Sequence, residues 1–174
     1  MKKSFRAELI DAILNNAQKY PNMVVLNADS ARALKLTEFS TAFPDRMFGV
    51  GISEADLVST AAGMATTGLI PVVVGFSMFV SEKPFEQIRQ AIAYPNLNVK
   101  IIATHSGLCV GQDGATHQAL EDIAVMRSLP NFKVFAAADV TETKAAITAM
   151  LKHNGPAYLR LGRDLAEDIF SHNK

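Results

Sequence analysis

Five short, nearly unbroken apolar runs constrain this chain more than any other feature: MVVLNA (23–28), IPVVVGF (70–76), NVKIIAT (98–104), FKVFAA (132–137) and AYLRL (157–161). Each has the length of a strand and lacks polar alternation, the pattern of strands buried on both faces. Segments of helical period lie between them. Phe5, Leu9, Ile10, Ile13, Leu14 and Ala17 recur at helical spacing across 4–19, and Tyr20-Pro21-Asn22 ends that helix. Residues 31–43 read as helical up to the turn at Pro44-Asp45. Residues 53–67 read as a helix with Ser53 as N-cap and Gly68 closing it. Further helices are expected over 81–94, 119–128 and 141–153. Such alternation predicts an α/β fold, a mostly parallel sheet covered by helices on both faces. No repeat, low-complexity tract or linker divides residues 1–174, so one domain is expected.

Composition narrows the partners. Hydrophobic residues make up 49% of the chain, enough for a sizeable core, and 17 basic residues balance 17 acidic ones. No basic stripe argues for nucleic acid. The lone Cys109 has no partner for an internal disulfide, which suits a reducing cytosol. The start, MKKSFRAELIDAIL, is basic, but acidic residues interrupt its apolar part, unlike a signal peptide. The longest apolar run, LIPVVVGFSMFV, is too short for a membrane span and contains Pro71 and Gly75. A soluble, cytoplasmic protein is the expectation.

In open parallel sheets, ligands bind beyond the carboxyl ends of the strands. The polar and aromatic residues placed there are Asp29, Phe76 to Phe79, His105 to His117, and Arg163. GVGISE (49–54) has a glycine spacing that touches on a dinucleotide fingerprint, but Glu54 replaces the third glycine and would repel a pyrophosphate. No phosphate-cradling P-loop is present. An acid at Glu54 or Asp56 also has an ordinary role, in the first turn of a helix facing its dipole. HSGLCVGQDGATHQ (105–118) reads either as a solvated loop or as a functional one. The spacing of His105, Asp113 and His117 matches no common metal-ligand pattern. Cys109 reads as a small apolar filler rather than a nucleophile. Phe76 and Phe79 have core packing as their default, and His153 and His172 read as surface residues.

The order of motifs adds what no single motif gives. NADS, then FPDRMFGVGISEADLVSTAAGMATTGLIPVVVGFSMF, then ATHSGLCVGQDGATHQALEDIAVMRSLPNFKVFAAADVTET, then PAYLRLGR follow the order found in transketolases. Over nearly its whole length the chain resembles the pyrimidine-binding domain of that family, and most closely the carboxyl-terminal subunit of transketolases split over two chains. The resemblance implies a thiamine diphosphate-binding fold of the pyrimidine type. It implies that Glu54 hydrogen-bonds the aminopyrimidine ring and helps it activate the thiazolium carbon. Phe79, with Phe76, would pack on that ring, and Asp29 would lie near cofactor and substrate. His105, Asp113 and His117 would contact sugar hydroxyls or assist proton transfer, and Arg163 would bind the substrate phosphate.

Departures matter as well. The family's Gly-Asp-Gly and its following Asn, which hold magnesium and diphosphate, have no counterpart here. Magnesium and diphosphate are therefore expected on a partner chain, with the family's diphosphate-binding and third domains absent from this one. Glu82 stands where the family has tyrosine, and Gln112 where it has glutamate. The implied activity is transfer of a two-carbon ketol unit between sugar phosphates, inactive as an isolated chain and working in a homo- or hetero-oligomer with a diphosphate-binding subunit. The small residues of helix 53–67 are the candidate for close helix packing at that interface. Alternatives sharing the fold are a deoxyxylulose-phosphate synthase or a 2-oxo acid dehydrogenase beta-type chain. A non-catalytic assembly module, the remaining alternative, would need neither Glu54 nor the histidine loop.

Overall fold

The structure, a computed structural model, describes residues 2–170; His172 lies outside the described residues. The chain opens with a short strand, β1 (Lys3–Ser4), and runs directly into α1 (Phe5–Lys19). Ser4 is its N-cap, accepting from the Ala7 amide, and Glu8 and Lys19 sit at the ends that suit the helix dipole. β2 (Met23–Asn27) follows. The helix expected over 31–43 is confined to α2 (Thr37–Ala42). Lys35 takes the left-handed conformation (φ 60°), which breaks a continuous helix, and Leu34 and Leu36 on either side of it are buried in the core.

β3 (Met47–Gly49) was not expected from the sequence: it has three residues, and Phe48 and Gly49 are exposed. It exists because it pairs with β2, Val25 opposite Met47. α3 (Glu54–Thr66) and β4 (Ile70–Phe76) lie close to their expected bounds. Ser53 occupies the N-cap position of α3, but its side chain makes no capping bond. The helix expected over 81–94 starts earlier and is irregular. Two π-helical turns, Met78–Glu82 and Ile88–Ala93, flank α4 (Phe85–Gln87). Pro84, which has no N–H to donate, sits at the junction. Beyond it come β5 (Lys100–Thr104), α5 (Asp122–Arg127), β6 (Lys133–Ala136), α6 (Val140–Lys152), β7 (Ala157–Arg160) and β8 (Leu165–Ala166).

Six strands form one sheet in the order β3-β2-β4-β5-β7-β6, and every pair in it is parallel. Side chains alternate between two cores. Met23, Val25, Val72, Val74, Ile102 and Leu159 face the layer with α1, α2 and α6. Val24, Leu26, Val73, Ile101 and Tyr158 face the layer with α3 and the 88–93 turn. Both faces are covered, which is why the strand sequences are apolar at nearly every position. One polar exception, Lys100, is 1% exposed and donates from Nζ to the carbonyls of His153 and Gly155, at 2.7 and 2.5 Å. Burial, with nearby Lys133, brings its pKa down to about 8. His153 is half-buried rather than on the surface, because it packs over this buried end of the sheet.

The two ends of the described chain are tied together. β1 and β8 pair antiparallel, and Lys3 forms an ion pair with Asp168. Asp139, fully buried, caps α6 by accepting from the Glu142 amide at 2.8 Å. Its other oxygen accepts from the amides of Ile169 and Phe170, each at 2.8 Å. Burial alone would raise this carboxyl, but the backbone N–H groups of Glu142, Phe170, Ile169 and Thr141 hold it below its ordinary value. With the folded-state value depressed, this contribution is present above the unfolded-state pKa and is lost as pH falls through the folded one. Asp139→Ala is expected to cost about 1–2 kcal/mol, the usual loss of a cap. It should also speed hydrogen exchange at Ile169 and Phe170. Unchanged protection of those two amides would contradict the clasp.

Candidate functional site

The sheet's carboxyl edge gathers the predicted residues from four elements. Asp29 follows β2 in the left-handed conformation (φ 55°), and His105 follows β5 likewise (φ 58°). Non-glycine residues seldom adopt that region, and such conformations concentrate at functional sites. Glu54 is the first residue of α3, and Phe76 ends β4, with Phe79 in the π-helical turn that follows. Asp29, Glu54, Phe76 and Phe79 line one cavity of about 220 Å³. Glu54 is 5% exposed, and its Oε2 accepts from Lys83 Nζ at 2.5 Å. Ile52, 76% exposed, stands at the cavity's lip. Asp56 is an exposed residue of the first helical turn.

The 105–118 loop adjoins this cavity through the aromatic rings. Phe76 lies 4.2 Å from the His105 ring, and Phe79 meets His117 edge-on at 5.0 Å, centroid to centroid. The two phenylalanines thus form a wall shared by the cavity and the histidine pair. Thr104 Oγ1 donates to the Gly75 carbonyl at 3.3 Å and lies 2.8 Å from His105 Nδ1. The threonine hydroxyl thus ties the His105 ring to the end of β4 through Nδ1, leaving Nε2 free to face the cavity side. Burial lowers the His105 pKa to about 4, helped by the positive charges of Arg6 and Arg163 and opposed by Asp113. His105 is therefore neutral at pH 7. His117 Nδ1 is 2.9 Å from Thr116 Oγ1.

Arg163 and Asp113 lie at the loop's outer side. Arg163 donates to Gln112 Oε1 at 3.2 Å. Gly111 has φ 69°, a left-handed conformation that favours glycine, and the Arg163 guanidinium lies against it, where an added Cβ would oblige that flexible side chain to shift. Arg6 was not singled out by the sequence, since it sits in an amphipathic helix where a basic residue is ordinary. It donates to the Ala33 carbonyl at 3.1 Å, and its buried Nε has no partner among the described residues. Cys109 is exposed and so is not the apolar filler expected: the loop carries it outward, and Val110 fills the core instead.

Beneath the phenylalanine wall lies a polar network that sequence reasoning also missed. Asp122, 0% exposed, accepts from Ser77 Oγ at 3.1 Å, Tyr158 Oη at 2.8 Å and Arg160 Nε at 3.0 Å. Ser77 stands between Phe76 and Phe79, and Ser81 Oγ donates to its carbonyl at 2.7 Å. Burial, and then the Asp122 charge, push the Tyr158 phenol well above its ordinary range. Glu82 lies alongside, half-buried, its Oε1 without a partner. Burial and the neighbouring Glu121 and Asp122 raise its carboxyl. Among the described residues no group of three or more potential ligands could hold a metal ion. No described helix is long and apolar enough to cross a membrane.

This combination, a doubly covered parallel sheet with half an aromatic pocket and one buried carboxyl at its carboxyl edge, defines a class of cofactor-binding α/β domain. Residues 2–168 match the family described as transketolase, pyrimidine binding domain, and the chain belongs to that family. It is 43% identical over 174 residues to a Methanocaldococcus jannaschii protein provisionally named a transketolase C-terminal section, covering all of this chain and 54% of that one. It is 36% identical over 168 residues to the 6-deoxy-6-sulfo-D-fructose transketolase subunit of a Clostridium species, covering 97% and 52%. A 1-deoxy-D-xylulose-5-phosphate synthase of Desulfotalea psychrophila is 36% identical over 157 residues, covering 90% and 24%. Among solved structures, a split gene transketolase described as an inactive beta4 tetramer superposes with a TM-score of 0.88 at 42% identity, covering 100% and 56%. The transketolase of Campylobacter jejuni superposes with a TM-score of 0.83 at 27% identity, covering 98% and 28%. The chain thus spans about half the length of the first of these relatives.

Family membership implies thiamine diphosphate, and the cavity suits its aminopyrimidine end: flat apolar walls with one buried carboxyl, Glu54, at a defined place.

Two outcomes follow from this geometry. The His105 ring should titrate with a midpoint of about 4 by NMR. Because that value is depressed, folding stability should fall as pH drops from about 6.5, the unfolded value, toward 4. A midpoint near 6.5 would contradict the buried, neutral assignment. Asp122→Ala should destabilise by about 3–5 kcal/mol in chemical denaturation, since it leaves Arg160 partly buried without its carboxylate. A loss below about 1 kcal/mol would show the network to be dispensable.

Proposed function

We propose that this chain supplies the pyrimidine side of a two-chain transketolase that moves a two-carbon ketol unit between sugar phosphates. The observation that carries this reading is the Glu54 carboxyl, buried at the start of α3 and facing an apolar cavity walled by Phe76 and Phe79. When bound, thiamine diphosphate supplies an electron sink at its thiazolium carbon. Glu54 holds a proton against the pyrimidine nitrogen, and Phe79 and Phe76 present flat apolar faces to the ring. Asp29 borders the same cavity beside cofactor and substrate. Across the shared wall, neutral His105 offers its Nε2 side to the substrate, and His117 and Asp113 face the sugar hydroxyls. Arg163 and Arg6, the two cations that bear on His105, suit the substrate phosphate, and the unpartnered Arg6 Nε strengthens that assignment.

A diphosphate-binding partner chain holds magnesium and the diphosphate and covers the open face of the pocket. Exposed Ile52 on the rim, with Leu108 and Leu120 in and beside the histidine loop, supports such a cover. The outward small residues of α3, Gly63 among them, extend the contact. The similar split gene transketolase is an inactive beta4 tetramer, which supports inactivity of this chain alone. A second reading, a deoxyxylulose-phosphate synthase component, draws on the 36% identity to such an enzyme.

In the reconstituted pair, Glu54→Ala should lower ketol transfer from xylulose 5-phosphate at least about a hundredfold, with thermal unfolding still cooperative. Wild-type turnover by this variant would refute the assignment of Glu54. Offering pyruvate beside xylulose 5-phosphate separates the two reactions, since efficient use of pyruvate would favour the synthase.

A further inference from the structure

Lys83 reaches this site through its contact with Glu54. It lies one turn beyond Phe79, just after the π-helical turn that carries that ring. Its side chain is 52% exposed, whereas the Glu54 side chain it contacts is 7% exposed. The bond joins Nζ to Oε2 at 2.5 Å. The remaining acid of the cavity, Asp29, is exposed to water and needs no such partner.

We propose that Lys83 is a positioning residue of the cofactor site: it holds the Glu54 carboxyl in place before the aminopyrimidine arrives and gives up Oε2 as the ring docks. This rests on the function proposed above. A carboxyl so deeply buried is costly to leave without a partner, and the Lys83 ammonium offsets that cost. An ion pair with an ammonium needs the carboxylate charged, whereas a carboxyl that donates to a ring nitrogen is neutral, so the contact has to open and Glu54 take a proton from solvent before it can act. The Lys83 stem is flexible and its head borders solvent, so Nζ can move into water while Glu54 turns to the ring.

Lys83 therefore acts with opposite sign in the two states. It stabilises the cofactor-free protein, and it weakens cofactor binding by the fraction of molecules in which Oε2 is taken. An ordinary structural ion pair would help both states.

The test uses Lys83→Met and Lys83→Arg in the full chain. Without cofactor, Lys83→Met should lower the thermal midpoint by about 2–6 °C. Thiamine diphosphate with magnesium is then titrated calorimetrically into the pair formed with a diphosphate-binding chain. Lys83→Met should bind roughly three- to tenfold tighter than wild type, and Lys83→Arg should stay near wild type in both measurements. Unchanged or weaker binding by Lys83→Met, or no loss of midpoint, overturns the role of Lys83 while leaving the proposed function intact if wild type binds saturably. Absence of saturable binding by the wild-type pair overturns the proposed function and this inference together.

Discussion

The buried carboxylate of Asp122 holds the site end of this molecule together. Its oxygens are satisfied by a hydroxyl from the end of β4, a phenol and a guanidinium from β7, and nothing from solvent. An anion in a dry interior tolerates little displacement of its donors, because each lost hydrogen bond leaves charge uncompensated. Ser77 is therefore fixed, and with it the flanking Phe76 and Phe79. Through Arg160 the constraint reaches the histidine loop, since the Arg160 guanidinium lies against Gly107. Three segments that could drift independently are thus referred to one charge.

That arrangement would let the domain hold the proposed half-site in place without its other half. The aromatic wall, Glu54 and the histidine pair are placed by the chain's own packing. His105 is kept neutral chiefly by burial, and its ring is held by Thr104, which also bonds the Gly75 carbonyl. On the proposed reading, Lys83 complements this order by occupying Glu54, a buried acid whose other contact would be a ligand.

The sheet was readable from the sequence because burial on both faces writes an unbroken apolar run, as in residues 70–76 and 100–104. β3 and β8 were not, because strands of three and two residues have no periodicity to read. The helix over 81–94 was readable as helical but not as π-helical, since apolar periodicity does not tell one helical pitch from another over single turns. Among site residues, the position of Glu54 was legible through its motif, and the structure adds its burial. Arg6, Lys83 and Asp122 carry no local signal. Their roles come from partners 27, 29 and 45 residues away, and long-range pairing of that kind leaves a single sequence silent.

The central claim is that this chain completes a ketol-transfer site only with a diphosphate-binding chain. The most direct measurement is ketol transfer in the presence of thiamine diphosphate and magnesium by this chain alone, by such a partner encoded beside it alone, and by their mixture. The account predicts activity in the mixture and in neither separate chain. Equal activity of this chain by itself, or an inert mixture that nonetheless forms a stable complex with cofactor bound, would contradict it.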